Sequence, residues 1–125
     1  MCRLAPDAPV PESALESKFF CVTRTFDELS LVCAEDHVPD NMRGRTPDGA
    51  LAEKGWRALK LEGPFPFTMT GVLASFIQPL AEARIPIFAI STFDTDYVLI
   101  KRENVELALA ALFAAGHEKV VAGIV

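Results

Sequence analysis

The order of elements between Gly55 and Asp96 constrains the fold of this chain more than any other feature. The stretch predicts a strand from Trp56 to Glu62, a helix that opens near Gly71, a strand from Ile85 to Ser91, and a third strand that begins at Asp96 after a tight turn. Two strands joined through a helix run parallel, and a strand entered by a tight turn runs antiparallel to its predecessor. We therefore predict a split β-α-β unit whose third strand inserts between the first two.

This arrangement places the loop Gly63–Thr70 and the turn Thr92–Asp96 on one edge of the sheet. The N-H groups near Gly71, at the start of the helix, suit an anion, and the carboxylate of Asp96 suits a cation. A free amino acid carries both charges and is the ligand that we predict for this edge. The alternative is that the glycine and threonine simply cap the helix and that Asp94 and Asp96 are ordinary turn residues.

Composition limits the possible functions of the chain. Its 125 residues allow one domain or two very small ones, and half of them are hydrophobic. The net charge of -5 and the scattered basic residues argue against nucleic-acid binding. No apolar run approaches the roughly 18 residues of a membrane span, and the N-terminus does not resemble a signal peptide. Three cysteines, an odd number, indicate a reducing compartment, so we expect a cytoplasmic protein.

The chain offers little for catalysis or metal binding. Its two histidines, His37 and His117, lie far apart, and no cysteine or histidine has a partner at a spacing typical of a metal or nucleophile site. Asp94 and Asp96 are close only because a turn joins them. We therefore predict a non-enzymatic protein without cofactor or metal.

The N-terminal part predicts a hairpin made of Lys18–Arg24 and Glu28–Ala34. If Thr25 faces Glu28, then Cys21 faces Val32, Cys33 faces Phe20, and the two cysteines point to opposite sides of the sheet. A disulfide between them is then improbable. The polar segment from residue 35 to residue 54, which contains two prolines and two glycines, is predicted to be a linker.

Two helices and a final strand are predicted in the C-terminal part. The first helix has an apolar stripe of helical period, formed by Val72, Leu73, Phe76, Ile77 and Leu80. The second begins at Glu103 and ends at Gly116, and its inward residues are predicted to be Val105, Leu109, Leu112 and Phe113. The tail KVVAGIV, residues 119–125, predicts a strand that could complete either half of the chain.

The two halves also contain a weak internal repeat. When the chain is shifted by 68 positions, FCVTRTFDELSLVCAE lies over FAISTFDTDYVLIKRE, with identities at Phe20/Phe88, Leu31/Leu99 and Glu35/Glu103. The match predicts two units with one hairpin design. Because few residues precede the first hairpin, the first unit is predicted to be a truncated copy.

Three stretches together resemble the ACT domain, the amino-acid-sensing module of aspartokinases and related enzymes: SKFFCVTRTFDELSLVC, GPFPFTMTGVLASFIQPLAEA and IPIFAISTFDTDYVLIKRENVE. They are most similar to the small bacterial branch that resembles the CASTOR arginine sensors. The resemblance implies an α+β, ferredoxin-like βαββαβ fold in tandem. Residues 1–54 would form a truncated N-terminal unit with its linker, and residues 55–125 a complete ACT domain.

The resemblance also implies a ligand site between ACT units. Carried over by position, the binding residues would come from the loop before the helix, the start of the second strand and the turn after it: Pro66, Thr68, Met69, Thr70, Gly71, Val72, Pro86, Ile87, Thr92, Phe93, Thr95 and Asp96.

The expected function is therefore a regulatory module that binds a small amino acid and regulates a protein partner. ACT units commonly join side by side, which implies a homodimer or larger assembly. The alternative is a module of the same fold that only assembles or docks a partner and binds no ligand.

Overall fold

The computed structural model describes residues 1–42, 51–61 and 70–117, and the backbone of residues 120–122. The chain divides into two compact units, Met1–Gly55 and Trp56–Ile124. Each unit contains a four-stranded antiparallel sheet.

The described residues of the first unit form four strands and one short helix. In chain order they are β1 (Cys2–Leu4), α1 (Glu12–Leu15), β2 (Phe20–Arg24), β3 (Leu29–Cys33) and β4 (Leu51–Ala52). The strand order is β2-β3-β1-β4. The hairpin has the predicted register, with Cys21 opposite Val32 and Phe20 opposite Cys33. The three cysteines are free thiols.

The segment predicted to be a linker contributes to this sheet. It contains 3-10 turns at Glu35–His37 and Asp40–Met42, followed by β4, in which Ala52 pairs with Cys2. Residues 43–50 of the segment lie outside the described residues. A two-residue strand is too short to show any periodicity, so its pairing is decided by the open edge of β1.

The second unit has the predicted β-α-β-β order followed by a helix and a strand. Its elements are β5 (Trp56–Leu61), α2 (Val72–Glu82), β6 (Ile87–Ser91), β7 (Asp96–Lys101), α3 (Val105–Ala114) and β8 (Val120–Ala122). The strand order is β6-β7-β5-β8, so β7 lies between β5 and β6 as predicted. The final strand completes this sheet by pairing antiparallel to β5, with Val120 opposite Leu61.

The core of the second unit lies between its sheet and its two helices. Phe76 and Leu80 of α2 are buried there, and the other members of the predicted stripe pack against them. On α3 the prediction fails at one residue: Leu112 is buried, but Phe113 is 69% exposed and Ala108 is buried instead. Nearly every residue of α3 is apolar, so the sequence period could not select the inward face.

The two sheets repeat each other with an offset of 67 residues, and the predicted offset of 68 is wrong. Phe20 pairs with Cys33 in the first hairpin, and Ile87 pairs with Ile100 in the second. This register aligns the two Thr-Phe-Asp turns, which begin at Thr25 and at Thr92. The correction matters because a slip of one residue exchanges the two faces of a strand.

Candidate functional site

The turn between β6 and β7 is held by the hydroxyl group of Thr92. The Thr92 N-H donates to the carbonyl oxygen of Thr95 at 2.8 Å. The Thr92 hydroxyl donates to the same carbonyl at 2.9 Å and accepts the N-H of Thr95 at 3.3 Å. The turn therefore has a fixed shape, and it presents Phe93 with 79% of its surface exposed.

Thr95 joins this turn to the end of β5. Its side chain is buried, with 7% exposed, and its Oγ1 donates to the carbonyl oxygen of Leu61 at 2.5 Å. Leu61 is the last residue of β5 and stands two positions before Gly63 in the sequence, where the loop that is predicted to bind ligand begins. The bond shows that the turn and the end of β5 lie on one edge of the second sheet. We call this edge of the second sheet, which contains Leu61 and the Thr92–Asp96 turn, the second edge.

Asp96 begins β7 at the second edge and is half-buried. It pairs across the hairpin with Ser91, whose Oγ donates to Asp96 Oδ1 at 2.5 Å. Sequence reasoning missed Ser91 as the partner of Asp96. The signal was available, because residues that directly flank a four-residue turn face each other across the hairpin.

The helix α2 starts with a left-handed glycine. Gly71 is its N-cap residue, with φ 77° and ψ 0°, and its carbonyl accepts the N-H of Ser75 at 2.9 Å. Glycine adopts a positive φ without the steric cost that other residues pay. It also has no side chain that could accept the first N-H groups of the helix, and unpaired N-H groups at a helix start suit an anion.

Helix length places the start of α2 near the second edge. The 11 residues of α2 return the chain from the end of β5 to the start of β6. A helix of this length spans about 16 Å, close to the length of the neighbouring strands. The N-terminus of α2 therefore lies toward the ends of β5 and β6, where the Thr92–Asp96 turn is found.

The predicted site residues that the structure describes fall into three groups. Thr70, Gly71 and Val72 lie at the start of α2, and Thr92, Phe93, Thr95 and Asp96 lie in or beside the turn. Pro86 and Ile87 lie at the other end of β6, since Ile87 pairs with Ile100 while Ser91 pairs with Asp96. Four residues of strand separate these ends by about 13 Å. Pro66, Thr68 and Met69 lie outside the described residues.

His117, which was not among the predicted site residues, contacts the first turns of α2. The Nε2 of His117 lies 3.0 Å from the carbonyl oxygen of Ser75, and its ring meets Phe76 edge to face at 5.3 Å. The backbone N-H of His117 donates to the carbonyl oxygen of Leu112 at 2.9 Å, and this bond fixes His117 at the end of α3. His117 thus holds the start of α2 against α3.

Within the described parts of the chain, no group of three or more histidine, cysteine or acidic side chains is arranged to hold a metal ion. Among the same residues, no helix combines the length and the apolar character needed to cross a bilayer.

Two family models match the chain. The model of the ACT domain matches residues 51–113, and a model described as an N-terminal domain matches residues 1–41. A crystal structure of a protein from Agobacterium tumefaciens is 36% identical, with a TM-score of 0.80, and the match covers 92% of this chain and 80% of that one.

Two sensor-related proteins are more distant relatives. The human protein named putative protein CASTOR3P is 28% identical over 102 residues, which is 74% of this chain and 60% of the human protein. The bovine protein named cytosolic arginine sensor for mTORC1 subunit 1 is 26% identical over 102 residues, which is 76% of this chain and 30% of the bovine protein. This chain thus spans less than two-thirds of either relative. With an ACT model over half its length and a ferredoxin-like strand order, the chain belongs to the ACT-domain family.

Proposed function

We propose that this protein is a non-enzymatic regulatory module that binds a free amino acid at the second edge. The bond from Thr95 to Leu61 supports the proposal, because it fixes the turn next to Asp96 at the end of β5, from which the chain continues toward α2. The N-H groups near Gly71 would receive the ligand's carboxylate, and Asp96 would receive its cationic group. The sensor named among the relatives supports an amino acid as the class of ligand and a cytoplasmic location.

We further propose that residues 1–54 and 55–125 are two ACT-like units of one chain, and that the chain forms a homodimer. Strand β6 is one of the two outer strands of the second sheet as described, and its sequence IFAIS is mostly apolar. Soluble proteins usually pair or cover such an edge. A second copy arranged about a two-fold axis would cover it and would bring another ACT unit to the ligand site. The regulated protein partner would then sense the ligand through this assembly.

A thermal shift assay with each of the twenty amino acids tests the proposal. A ligand of the native state raises the unfolding temperature by mass action, and a concentration of 100 times Kd adds about 2.7 kcal/mol to the free energy of unfolding. At least one amino acid should produce such a shift in the wild type. No shift with any of them would reject an amino-acid ligand.

Gly71→Val should abolish the response, because the substitution strains the start of α2 where the carboxylate would bind. Gly55→Val is the matched control. Both glycines have a positive φ, of 77° and 82°, and no atom of the described residues lies within 4 Å of a Cβ added to either. The two variants therefore introduce similar strain, but Gly55 directly precedes β5 and lies at the opposite end of that strand from Leu61. An equal response in both variants would contradict the assignment of the site.

A pure assembly module is the second candidate, and the outer face of α3 favours it. Leu107 is 55% exposed on this face, where Phe113 is also exposed. Light scattering over a dilution series distinguishes the candidates when combined with the thermal shifts. Self-association without any amino-acid response would favour assembly alone, and a monomer at every concentration would reject the dimer.

A further inference from the structure

The first unit holds a guanidinium group at the edge that corresponds to the second edge. Arg24, the last residue of β2, extends over the loop that follows β1. Its Nη1 donates to the carbonyl oxygen of Pro6, and its Nη2 donates to the carbonyl oxygen of Ala8 at 2.8 Å. The two carbonyls belong to one tight turn, in which the Ala8 N-H donates to the carbonyl of Ala5 at 3.0 Å. The planar fork of arginine suits two acceptors held in this way.

The matching position in the second unit is filled differently. With the offset of 67, Arg24 corresponds to Ser91, and each residue directly precedes a Thr-Phe-Asp turn. Ser91 is short and donates to Asp96. Asp96 in turn corresponds to Leu29, which is fully buried in the first unit. The first unit therefore brings its own cation to the edge, whereas the second unit brings a carboxylate.

We propose that the side chain of Arg24 is an internal occupant of the first unit's edge, which means that it fills the place where a ligand could otherwise bind. It thereby restricts amino-acid binding to one site per chain, at the second edge. The location of that one site rests on the proposed function, but the contacts of Arg24 do not. A tethered group competes at an effective concentration on the order of millimolar or higher. A free amino acid below that concentration would therefore not displace the guanidinium group from the turn of residues 5–8.

The carboxylate of Glu28, which follows the turn after Arg24, has another partner. Glu28 forms an ion pair with Arg3 of β1, with Oε2 3.4 Å from Nε. The two arginines thus have separate roles, because Arg3 meets a carboxylate and Arg24 meets carbonyls. Carbonyl acceptors arranged for a planar fork can bind an external guanidinium compound once the arginine is removed, which makes the proposal testable.

Native-state hydrogen exchange at the Ala8 amide, followed by NMR on the full chain, measures the order of this turn. In Arg24→Ala the Ala8 amide should exchange about tenfold faster, because two charge-assisted bonds that hold the turn are lost. Ethylguanidinium should slow that exchange again and shift the signals of Asp7 and Ala8, with no such effect in the wild type. Ethylammonium at equal ionic strength should do neither, since it lacks the planar fork.

Two further variants keep this test decisive. Arg102→Ala removes another exposed arginine, from the second unit, and should leave the Ala8 amide unchanged. Arg24→Lys retains the charge but has no fork, so its Ala8 exchange should lie between those of the wild type and Arg24→Ala. Unchanged exchange in Arg24→Ala, full protection in Arg24→Lys, or equal rescue by ethylammonium would each overturn the proposal. If Arg24 behaves as expected but no amino acid stabilises the wild type, the proposed function fails and the internal occupant stands.

Discussion

The two sheets of this protein are alike in strand order and register, but they differ in the helices that cover them. One row of paired residues runs Ala52, Cys2, Leu31 and Val22 across the first sheet, and the matching row runs Ala122, Leu59, Val98 and Ala89 across the second. Among the described residues, the first unit has a helix of four residues and two 3-10 turns, whereas the second has helices of 11 and 10 residues and one 3-10 turn. The repeated feature is thus the sheet, and the helical layer varies.

The turns of the two hairpins repeat in more detail than the strands. Thr25 donates its N-H to the carbonyl of Glu28 at 2.8 Å, as Thr92 does to Thr95. The phenylalanine that follows the threonine is exposed in both, and Phe26 is completely so. The difference lies in the residues that flank the turn, where Arg24 and Leu29 replace Ser91 and Asp96. We infer that one turn scaffold carries a guanidinium group at the edge of the first unit and a carboxylate at the edge of the second.

The largest expected effect is on the helical layer. Leu80→Ala on α2 should lower the free energy of unfolding by about 2–5 kcal/mol, because it leaves a cavity in the core of the second unit. Leu15→Ala on α1 should cost less than about 1 kcal/mol, since Leu15 is exposed and α1 buries only Ala14. Urea denaturation measures both. Equal costs would show that the two helical layers contribute alike and would break the comparison.

The next effect concerns the carboxylate that only the second edge has. Asp96→Asn should weaken binding of a responding amino acid more than tenfold, because losing one partner of a charge-assisted contact costs about 2–5 kcal/mol. Asp94→Asn is the matched control, since Asp94 lies in the same turn and is exposed. Titrations followed by calorimetry give the two affinities. Similar affinities in both variants would show that Asp96, like Asp94, is only a turn residue.

The smallest expected effect compares the cysteines of the first unit. Burial raises the pKa of the Cys2 thiol above its ordinary value of 9.0, and burial together with the nearby Cys2 raises that of Cys33. Thiolates react with iodoacetamide and thiols do not, so Cys21, which is less buried, should be labelled first at pH 8. Mass spectrometry of the labelled peptides gives the order. Faster labelling of Cys2 or Cys33 would contradict the burial of these two side chains.

The same pKa shifts predict the direction of a stability change. The unfolded chain releases its thiol protons at lower pH than the folded chain does, because the folded pKa values are raised. The stability associated with the two thiols is therefore complete below the ordinary thiol pKa and is lost as the pH rises toward the folded values.

The sequence by itself determined the elements whose signals are local. The β-α-β-β order fixed the central position of β7, and the Thr25–Glu28 turn fixed the register of the first hairpin. The stripe on α2 identified its buried face, because that helix also has polar positions. For the candidate site, the order of elements placed the Thr92–Asp96 turn at the edge where β5 ends, and the Thr95 bond confirms that placement.

The tertiary structure decided the features that depend on long-range pairing or on a uniform pattern. β4 pairs with β1 in the first sheet, and β8 pairs with β5 in the second. Short strands carry little sequence signal, so the strand edge available for pairing decides which sheet they join. The tertiary structure turned Phe113 outward on a helix that is almost entirely apolar, and it separated Pro86 and Ile87 from the turn along the length of β6. It also corrected the repeat by one residue. Runs of consecutive apolar residues match at either offset in sequence, whereas backbone hydrogen bonds permit only one register.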